Sequence, residues 1–267
     1  MSPKSESPST LAKSVDATIL AVRQETPNVK TLTFDLSLDP KAGQYLMAWI
    51  RGLDEIPMGF SGPREITVHE VGQATKALAN LEPGRSLGLR GPLGNSFILR
   101  GDNILLIGGG VGIAPLAFLG AAAKAQDIDV TSLIGFRSSA DVLFTQRLEK
   151  LGDLVITTDD GSMGIHGFAS AGLKELNLGE YSQIYLCGPE PMMWDILSRS
   201  KEHSGKTQAS INRYFKCAVG VCGSCCLDHE GIRVCVEGPV ITADRLLGSE
   251  FGKYRRGPSG SRGSCRG

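Results

Sequence analysis

The chain has 267 residues, enough for two ordinary domains and a small appendage, and its 28 Lys and Arg residues balance 28 Asp and Glu residues. Without net charge there is no bulk field to draw in nucleic acid or an anionic membrane surface. The longest apolar stretch, Ile104–Leu119, is broken by Gly108, Gly109, Gly110, Gly112 and Pro115, which leaves it too short and too interrupted to span a bilayer.

Taken in chain order, the N-terminus MSPKSESPSTLAKS is polar and lacks the apolar core of a signal peptide. A flexible segment over 1–14 and a cytoplasmic chain with reduced thiols are expected. Over 15–101 the chain reads as short alternating or β-branched runs, ATILAVRQETPNVKTLTFDL, GQYLMAWI, EITVHEV and RSLGLRGPLG, punctuated by Pro, Gly and Asn. TKALANLE is the one helical pattern there. A small antiparallel barrel or sandwich is expected.

From Asn103 the pattern changes. NILLIGGGVGIAPLAFLGAAAKA is an apolar run, a glycine-rich turn and a helix-like stretch. Such a turn lets the backbone approach a pyrophosphate at a helix N-terminus, where free N–H groups favour anions. Gly108, Gly110 and Gly112 only approximate the strict dinucleotide fingerprint, with Pro115 where the helix begins. The runs DVTSLIGFR, DLVITTDDGS and SQIYLCGPEPMM follow, separated by helix-like segments such as ADVLFTQRLEKLG. Strands alternating with helices predict a parallel sheet over 102–205, with ligands at the carboxyl ends of its strands. Gly108–Gly112, Asp159–Asp160 and Cys187–Gly188–Pro189 all fall at such ends. HSGKTQ, near Ser204–Lys206, reads as a linker to a third unit over 206–248.

That unit opens with CAVGVCGSCCLDHEGIRVC, five of the chain's seven cysteines in nineteen positions. A disulfide knot does not suit a reducing compartment. Structural zinc sites are usually built from separated C-x2-C pairs, which this segment lacks. Cys217, Cys222, Cys225 and Cys235 read C-x4-C-x2-C-x9-C, and the first three follow the plant-type [2Fe–2S] spacing. Gly220 and Gly223 allow backbone N–H groups to turn toward sulfur. Cys226 is the surplus thiol. A cluster of this kind moves single electrons, so the remaining chain should hold a partner redox centre. The tail FGKYRRGPSGSRGSCRG, over 249–267, is basic and rich in Gly and Ser, and disorder is expected there, with Cys265 outside the ligand set. The four histidines show no metal-ligand spacing.

A β-barrel followed by a nucleotide domain carrying GGGVGIAPL and LCGPEPMM resembles the ferredoxin–NADP reductase superfamily. With TDDGSMGIHGF, INRYFKCAVGVCGSC and VCVEGPV, residues 15–245 resemble the electron-transfer subunits of type B dihydroorotate dehydrogenase. The resemblance implies FAD on the barrel, a [2Fe–2S] cluster and NAD as co-substrate. It also implies a separate FMN-containing catalytic subunit, in a heterotetramer of two subunits each, serving de novo pyrimidine synthesis. Related subunits of hydrogenase, sulfide dehydrogenase, glutamate synthase-like or NADPH:ferredoxin-type complexes share these parts, and a non-catalytic iron–sulfur docking module is the reading from another class. One departure stands out. The family commonly holds FAD with Arg-Pro-x-Ser, and here Ile56 and Gly59 stand for the arginine and serine in IPMGFSG, while Pro57 survives and Ser61 lies nearby. The flavin contacts the resemblance carries over are Pro57, Ser61, groups around Glu65, Ile66 and Thr67, and the turn containing Ala74 and Thr75. Cys187 is implied at the nicotinamide–flavin junction as the catalytic candidate, with Gly188 beside it, while Asp159 and Asp160 either contact the ribose hydroxyls or cap their own loop with side-chain hydrogen bonds. Arg137 follows a strand end where a 2′-phosphate would sit, so the choice between NAD and NADP stays open.

Overall fold

The computed structural model describes residues 13–265. Most of the N-terminal segment expected to be flexible therefore lies outside the described residues. Six antiparallel strands, β1 (Val15–Thr26), β2 (Val29–Phe34), β3 (Tyr45–Trp49), β4 (Glu55–Gly62), β5 (Glu65–His69) and β6 (Ser86–Leu93), close into a barrel in the order β1-β2-β5-β4-β3-β6. Alternation fills its interior: Ile19, Leu32, Phe34, Leu46, Ala48, Phe60, Ile66, Val68, Leu87 and Leu89 are all buried there. A short helix, α1 (Gln73–Ala79), covers one end and puts Leu78 into the same core.

The second unit is a seven-stranded sheet. Its strands are β7 (Asn103–Gly109), β8 (Asp129–Phe136), β9 (Gly152–Thr158), β10 (Ile165–His166), β11 (Gln183–Cys187), β12 (Thr207–Ser210) and, after the strands of the cysteine unit, β15 (Val240–Thr242), in the order β10-β9-β8-β7-β11-β12-β15. All pair in parallel except β15, which runs antiparallel to β12. Ile104, Leu105, Leu106 and Ile107 are each at most 1% exposed, as expected of a parallel strand covered on both faces. Helix α2 (Ile113–Lys124) is apolar on most sides because it has two neighbours: it packs on β7 and β8, and it also crosses β4 of the barrel. Helix α4 (Glu190–Arg199) follows β11. ADVLFTQRLEKLG was expected as a helix; it forms a 3-10 turn and the five-residue α3 (Thr145–Glu149), entered through Phe144 at φ +65°.

The third unit contains the hairpin β13 (Cys226–Leu227) and β14 (Ile232–Arg233), then α5 (Val234–Glu237), and after β15 the helix α6 (Ala243–Leu247). Two expectations are corrected. HSGKTQ is not a linker: Lys201–Lys206 is a 3-10 turn, and Thr207 and Gln208 are buried in a strand added to β11. The preceding sheet has an open edge at β11, and β12 and β15 satisfy it. Nor are the described residues of the tail without structure. They form the hairpin β16 (Tyr254–Arg256) and β17 (Arg262–Ser264), and Ser249, Glu250, Phe251 and Cys265 are buried. Composition pointed to disorder there, but one aromatic and one carboxylate have partners waiting in the body of the protein.

Candidate functional site

The cysteine loop is built from backbone that only a few residues tolerate. Ala218, Gly220 and Gly223 have φ of +56°, +78° and +74°, so the chain coils tightly between Cys217 and Cys225. The β13–β14 hairpin and α5 then return Cys235, whose N–H donates to Cys225 Sγ at 3.4 Å. Cys225 and Cys235 are buried, Cys217 is half-buried and Cys222 is exposed. Burial works against a thiolate at Cys217, but the N–H groups of Val219, Cys222 and Val221 outweigh it and bring the thiol down to about 6. The Cys235 thiol and then its N–H bring Cys225 down to about 7, against the cost of burial. Cys235 is pushed up in turn, first by that partnership and then by burial. Cys226 is raised by burial and by the charge of Cys225, and it pairs with Arg233 in the hairpin ladder. Two thiols of the four are thus shifted toward the thiolate, the form that binds iron. Among the described residues no three His, Cys, Asp or Glu side chains surround a point suited to one metal ion. An all-thiol donor set spread over a coiled loop fits a two-iron cluster, whose ligands are shared between two centres.

Polar contacts tie this loop to the barrel. The Arg90 guanidinium grips Glu55 at 3.0 and 2.7 Å and donates to the Cys217 carbonyl at 3.4 Å. Tyr45 donates its O–H to the Cys235 carbonyl at 2.8 Å, and its ring lies 4.8 Å from Phe215. The Asn95 amide donates to the carbonyls of Glu237 and Val240 and accepts from the Val240 N–H.

The glycine-rich turn is the second component. Cys187 pairs in register with Gly108 on one side and Ser210 on the other, so it stands between the ends of β7 and β12. A Cβ on Gly112 would lie 2.6 Å from the Cys187 carbonyl oxygen and from Gly188 Cα, so this glycine lets the two strand-end turns touch. Gly110 has φ +50°, and nothing lies within 4 Å of the place its Cβ would take, so it faces open space. Pro115 lies in the first turn of α2, where no N–H is needed. Burial pushes the Cys187 thiol up to about 12, against a hydrogen bond with Ser210. Between these strand ends Cys187 is therefore a neutral thiol and not a thiolate nucleophile. Asp160 spends one carboxylate oxygen on the N–H and hydroxyl of Ser162, at 2.9 and 2.6 Å, and so caps its own loop.

The barrel face opposite is the third component. The β4–β5 ladder is confined to Phe60↔Ile66 and Gly62↔Glu65, so the β4-facing edge of β5 beyond Ile66 has no strand partner, and the Gly110–Gly112 turn comes against β5. Pro57 is half-buried and Gly59 is exposed, with nothing within 4 Å of an added Cβ. This gap, with free backbone edge on one side and a glycine-lined turn on the other, fits a flat cofactor held by backbone groups. The side chains expected to help are engaged elsewhere. Ser61 is fully buried with an unpartnered hydroxyl, and its carbonyl accepts from Arg147 at 2.6 Å. The hydroxyl of Thr67 pairs with that of Thr31 at 3.0 Å. The hydroxyl of Thr75 takes the N–H groups of Val71 and Gly72 and returns a bond to the Gly72 carbonyl. Glu65 lies 3.8 Å from Arg147, and Ile66 is core. Ala74 offers its backbone at the start of α1.

Residues 212–247 match the iron–sulfur cluster binding domain of dihydroorotate dehydrogenase B, and residues 106–197 match the oxidoreductase NAD-binding domain. A probable dihydroorotate dehydrogenase B (NAD(+)) electron transfer subunit from Methanocella arvoryzae is 49% identical over 252 residues, covering 93% of this chain and 98% of the relative. The chain belongs to that family. A protein of the same description from Methanocaldococcus jannaschii is 41% identical, covering 94% of this chain and 99% of its own length. Among solved structures, one described as the NADH-dependent reduced ferredoxin–NADP oxidoreductase of flavin-based electron bifurcation is 25% identical, with a TM-score of 0.78, covering 87% of this chain and 91% of that one. Membership in the dihydroorotate dehydrogenase B family makes the chain an oxidoreductase subunit with an iron–sulfur unit and an NAD-binding unit. No helix among the described residues is long and apolar enough to cross a membrane.

Three residues that sequence inspection missed hold these components together: Tyr45, Arg90 and Arg213. Arg213 is 2% exposed in its side chain and pairs with Glu190, just after the Cys187–Gly188–Pro189 turn, at 2.7 Å, and with Glu250 of the tail at 3.4 Å. Glu250 in turn accepts the Asp228 N–H of the cysteine unit at 2.7 Å. The one sequence signal was an arginine beside the aromatic pair Tyr214–Phe215 just before Cys217.

Proposed function

We propose that the chain relays electrons from an FMN-containing catalytic subunit to NAD, in a cytoplasmic heterotetramer of two subunits of each kind that serves pyrimidine synthesis. Cys217, Cys222, Cys225 and Cys235 would hold a [2Fe–2S] cluster. Pro57, Glu65, Ile66, Thr67 and the backbone at Ala74 and Thr75 would hold FAD in the gap between β4 and β5. Gly108, Gly110, Gly112, Pro115 and Gly188 would receive the nucleotide at the strand ends, with Asp160 capping the loop beside them, and Cys187 would pack at the junction as a neutral thiol. When bound, flavin supplies the exchange between a hydride and single electrons. The protein's own groups fix positions: Arg90 and Tyr45 grip the carbonyls of two ligand cysteines from the barrel, and Gly112 brings the nucleotide turn to the Cys187 turn.

The observation that carries this reading is the attachment of the four-cysteine loop directly to the barrel strands β3 and β6, through Tyr45 and Arg90. The outer rim of that loop is apolar: Val221 is 84% exposed, Val219 43%, Tyr214 40% and Val236 39%, beside the exposed Cys222. A partner subunit that must bring its own redox group near the cluster would cover such a rim. Among the described residues none looks like a base for deprotonating dihydroorotate, so the isolated chain is expected to pass electrons from NADH to a dye and not to oxidise dihydroorotate. Cys222→Ala is expected to stop dihydroorotate-dependent NAD reduction in the reconstituted complex while leaving NADH-to-dye activity. Normal coupled turnover in that variant would remove the cluster from the path.

A further inference from the structure

Of the two barrel side chains that hold carbonyls of the cysteine loop, one carries a charge. On β6, Leu87 and Leu89 fill the barrel interior, so Arg90 points to the opposite face. It pairs in register with Met47 of β3, which packs in one core with Tyr45, Cys225 and Cys235. Arg90 is thereby held between the barrel wall and the cysteine loop, with its side chain only 9% exposed.

The guanidinium is shared between the two. Its Nε and Nη2 edge forks onto Glu55 of β4 at 3.0 and 2.7 Å, and Nη1 and Nη2 both reach the Cys217 carbonyl at 3.4 Å. The hydrogen bonds to Glu55 strengthen the guanidinium's hold on its proton against the cost of burial, and the charges of Glu55, Tyr45 and Cys217 add to that. Arg233 also reaches the loop, donating to the Gly220 carbonyl at 3.4 Å, but its side chain is 49% exposed and water screens its charge. Of these two cations, the buried one acts more strongly on the loop.

Uptake of one electron makes an iron–sulfur cluster more negative by one charge. A fixed cation nearby therefore favours the reduced state, and a fixed anion disfavours it. We propose that the Arg90–Glu55 pair tunes the reduction potential of the cluster, with Arg90 raising it from the barrel side and Glu55 limiting the rise. The inference rests on Cys217 as a cluster ligand and deepens that reading by assigning the charges that set the cluster's poise.

Reductive titration of the full flavin- and cluster-loaded chain, with the cluster followed by electron paramagnetic resonance, tests this without turnover. Arg90→Gln keeps a donor near the Cys217 carbonyl but removes the cation. It is expected to lower the reduced-to-oxidised ratio at a fixed poise about tenfold, which is about 59 mV for one electron. Glu55→Gln leaves Arg90 charged and unpaired, and the potential should rise. The double variant should return close to the wild type, because the two charges are lost together. A loosened loop would not produce opposite shifts that cancel. If Arg90→Gln fails to hold a cluster, Glu55→Gln still decides, because Glu55 meets the loop through Arg90. An unchanged or lowered potential in Glu55→Gln overturns the assignment while the cluster itself stands. If the reduced wild type shows no cluster signal, the ligand set is wrong and the assignment falls with it.

Discussion

Gly112 and Gly110 are two residues apart and are glycine for opposite reasons. Gly112 has an ordinary helical φ of −62°, but backbone atoms of Cys187 and Gly188 occupy the space where its Cβ would go. Neither neighbour is a flexible side-chain end that could swing away. Gly112→Ala should therefore push the two turns apart, costing about 1–3 kcal/mol in urea denaturation and weakening NADH binding. Gly110→Ala meets nothing but must adopt φ +50°, which costs only about 1–2 kcal/mol and leaves the turns in contact. Equal losses of NADH affinity in the two variants would contradict this separation. At this scale the sequence was informative where the demand is local. The cysteine spacing and the glycine-rich turn could be read because ligand geometry and close backbone approach act within a few residues. Asp159 and Asp160 could not be told apart, since the difference lies in which one caps Ser162. The flavin-side hydroxyls of Ser61, Thr67 and Thr75 were overvalued for the same kind of reason: what occupies them is set by the fold.

Among elements, the barrel strands and the alternating strands and helices of the sheet were legible from periodicity, but the join between the second and third units was not. Strand β12 looks like a polar linker because its partners, β11 and β15, lie on either side of it in sequence at a distance no local pattern reports. Long-range polar ties were equally hidden: Tyr45 and Cys235 are 190 positions apart. Arg213 is the tie on which the elements around the cysteine unit depend most. It is buried between Glu190 at the start of α4 and Glu250 beyond α6, and its guanidinium lies 5.5 Å from the Phe251 ring centroid. Arg213→Met would leave two carboxylates buried together without a cation, a loss of about 3–5 kcal/mol. Arg213→Lys keeps the charge but cannot fork between two acids, so it should recover part of that loss. Thermal unfolding of the two variants checks the order, and a Met variant as stable as the Lys variant would show that the pair contributes little.

For the whole molecule, the tail acts as a strap between the nucleotide sheet and the cysteine unit. Gly252 N–H and the Cys265 thiol both donate to Glu190 at the head of α4, at 2.8 and 3.3 Å. Glu250 accepts from Asp228, and Asp228 in turn holds Tyr254 and Arg256 of the terminal hairpin. Phe251 is fully buried in the core shared by α4, α6 and the cysteine unit. None of this follows from composition, because a Gly- and Ser-rich basic stretch orders only when the rest of the fold offers it a carboxylate and an apolar socket. Ending the chain after Gly248 removes a buried aromatic worth about 1.5–3 kcal/mol and the partners of Asp228. It also removes Glu250, so Arg213 keeps Glu190 and the remaining pair is balanced in charge. The truncated protein should therefore be less damaged than Arg213→Met, and the damage should be local. Amide exchange is expected to quicken at Leu227 and Asp228 in the β13–β14 hairpin and around Glu190. Leu32 and Ile66, deep in the barrel and on the far side of the Tyr45 and Arg90 contacts, should keep their protection. Unchanged exchange in the hairpin would mean the strap bears no load. Equal loss in the barrel would mean that the cysteine unit and the barrel unfold as one, with Tyr45 and Arg90 coupling them far more tightly than two hydrogen-bonded contacts require.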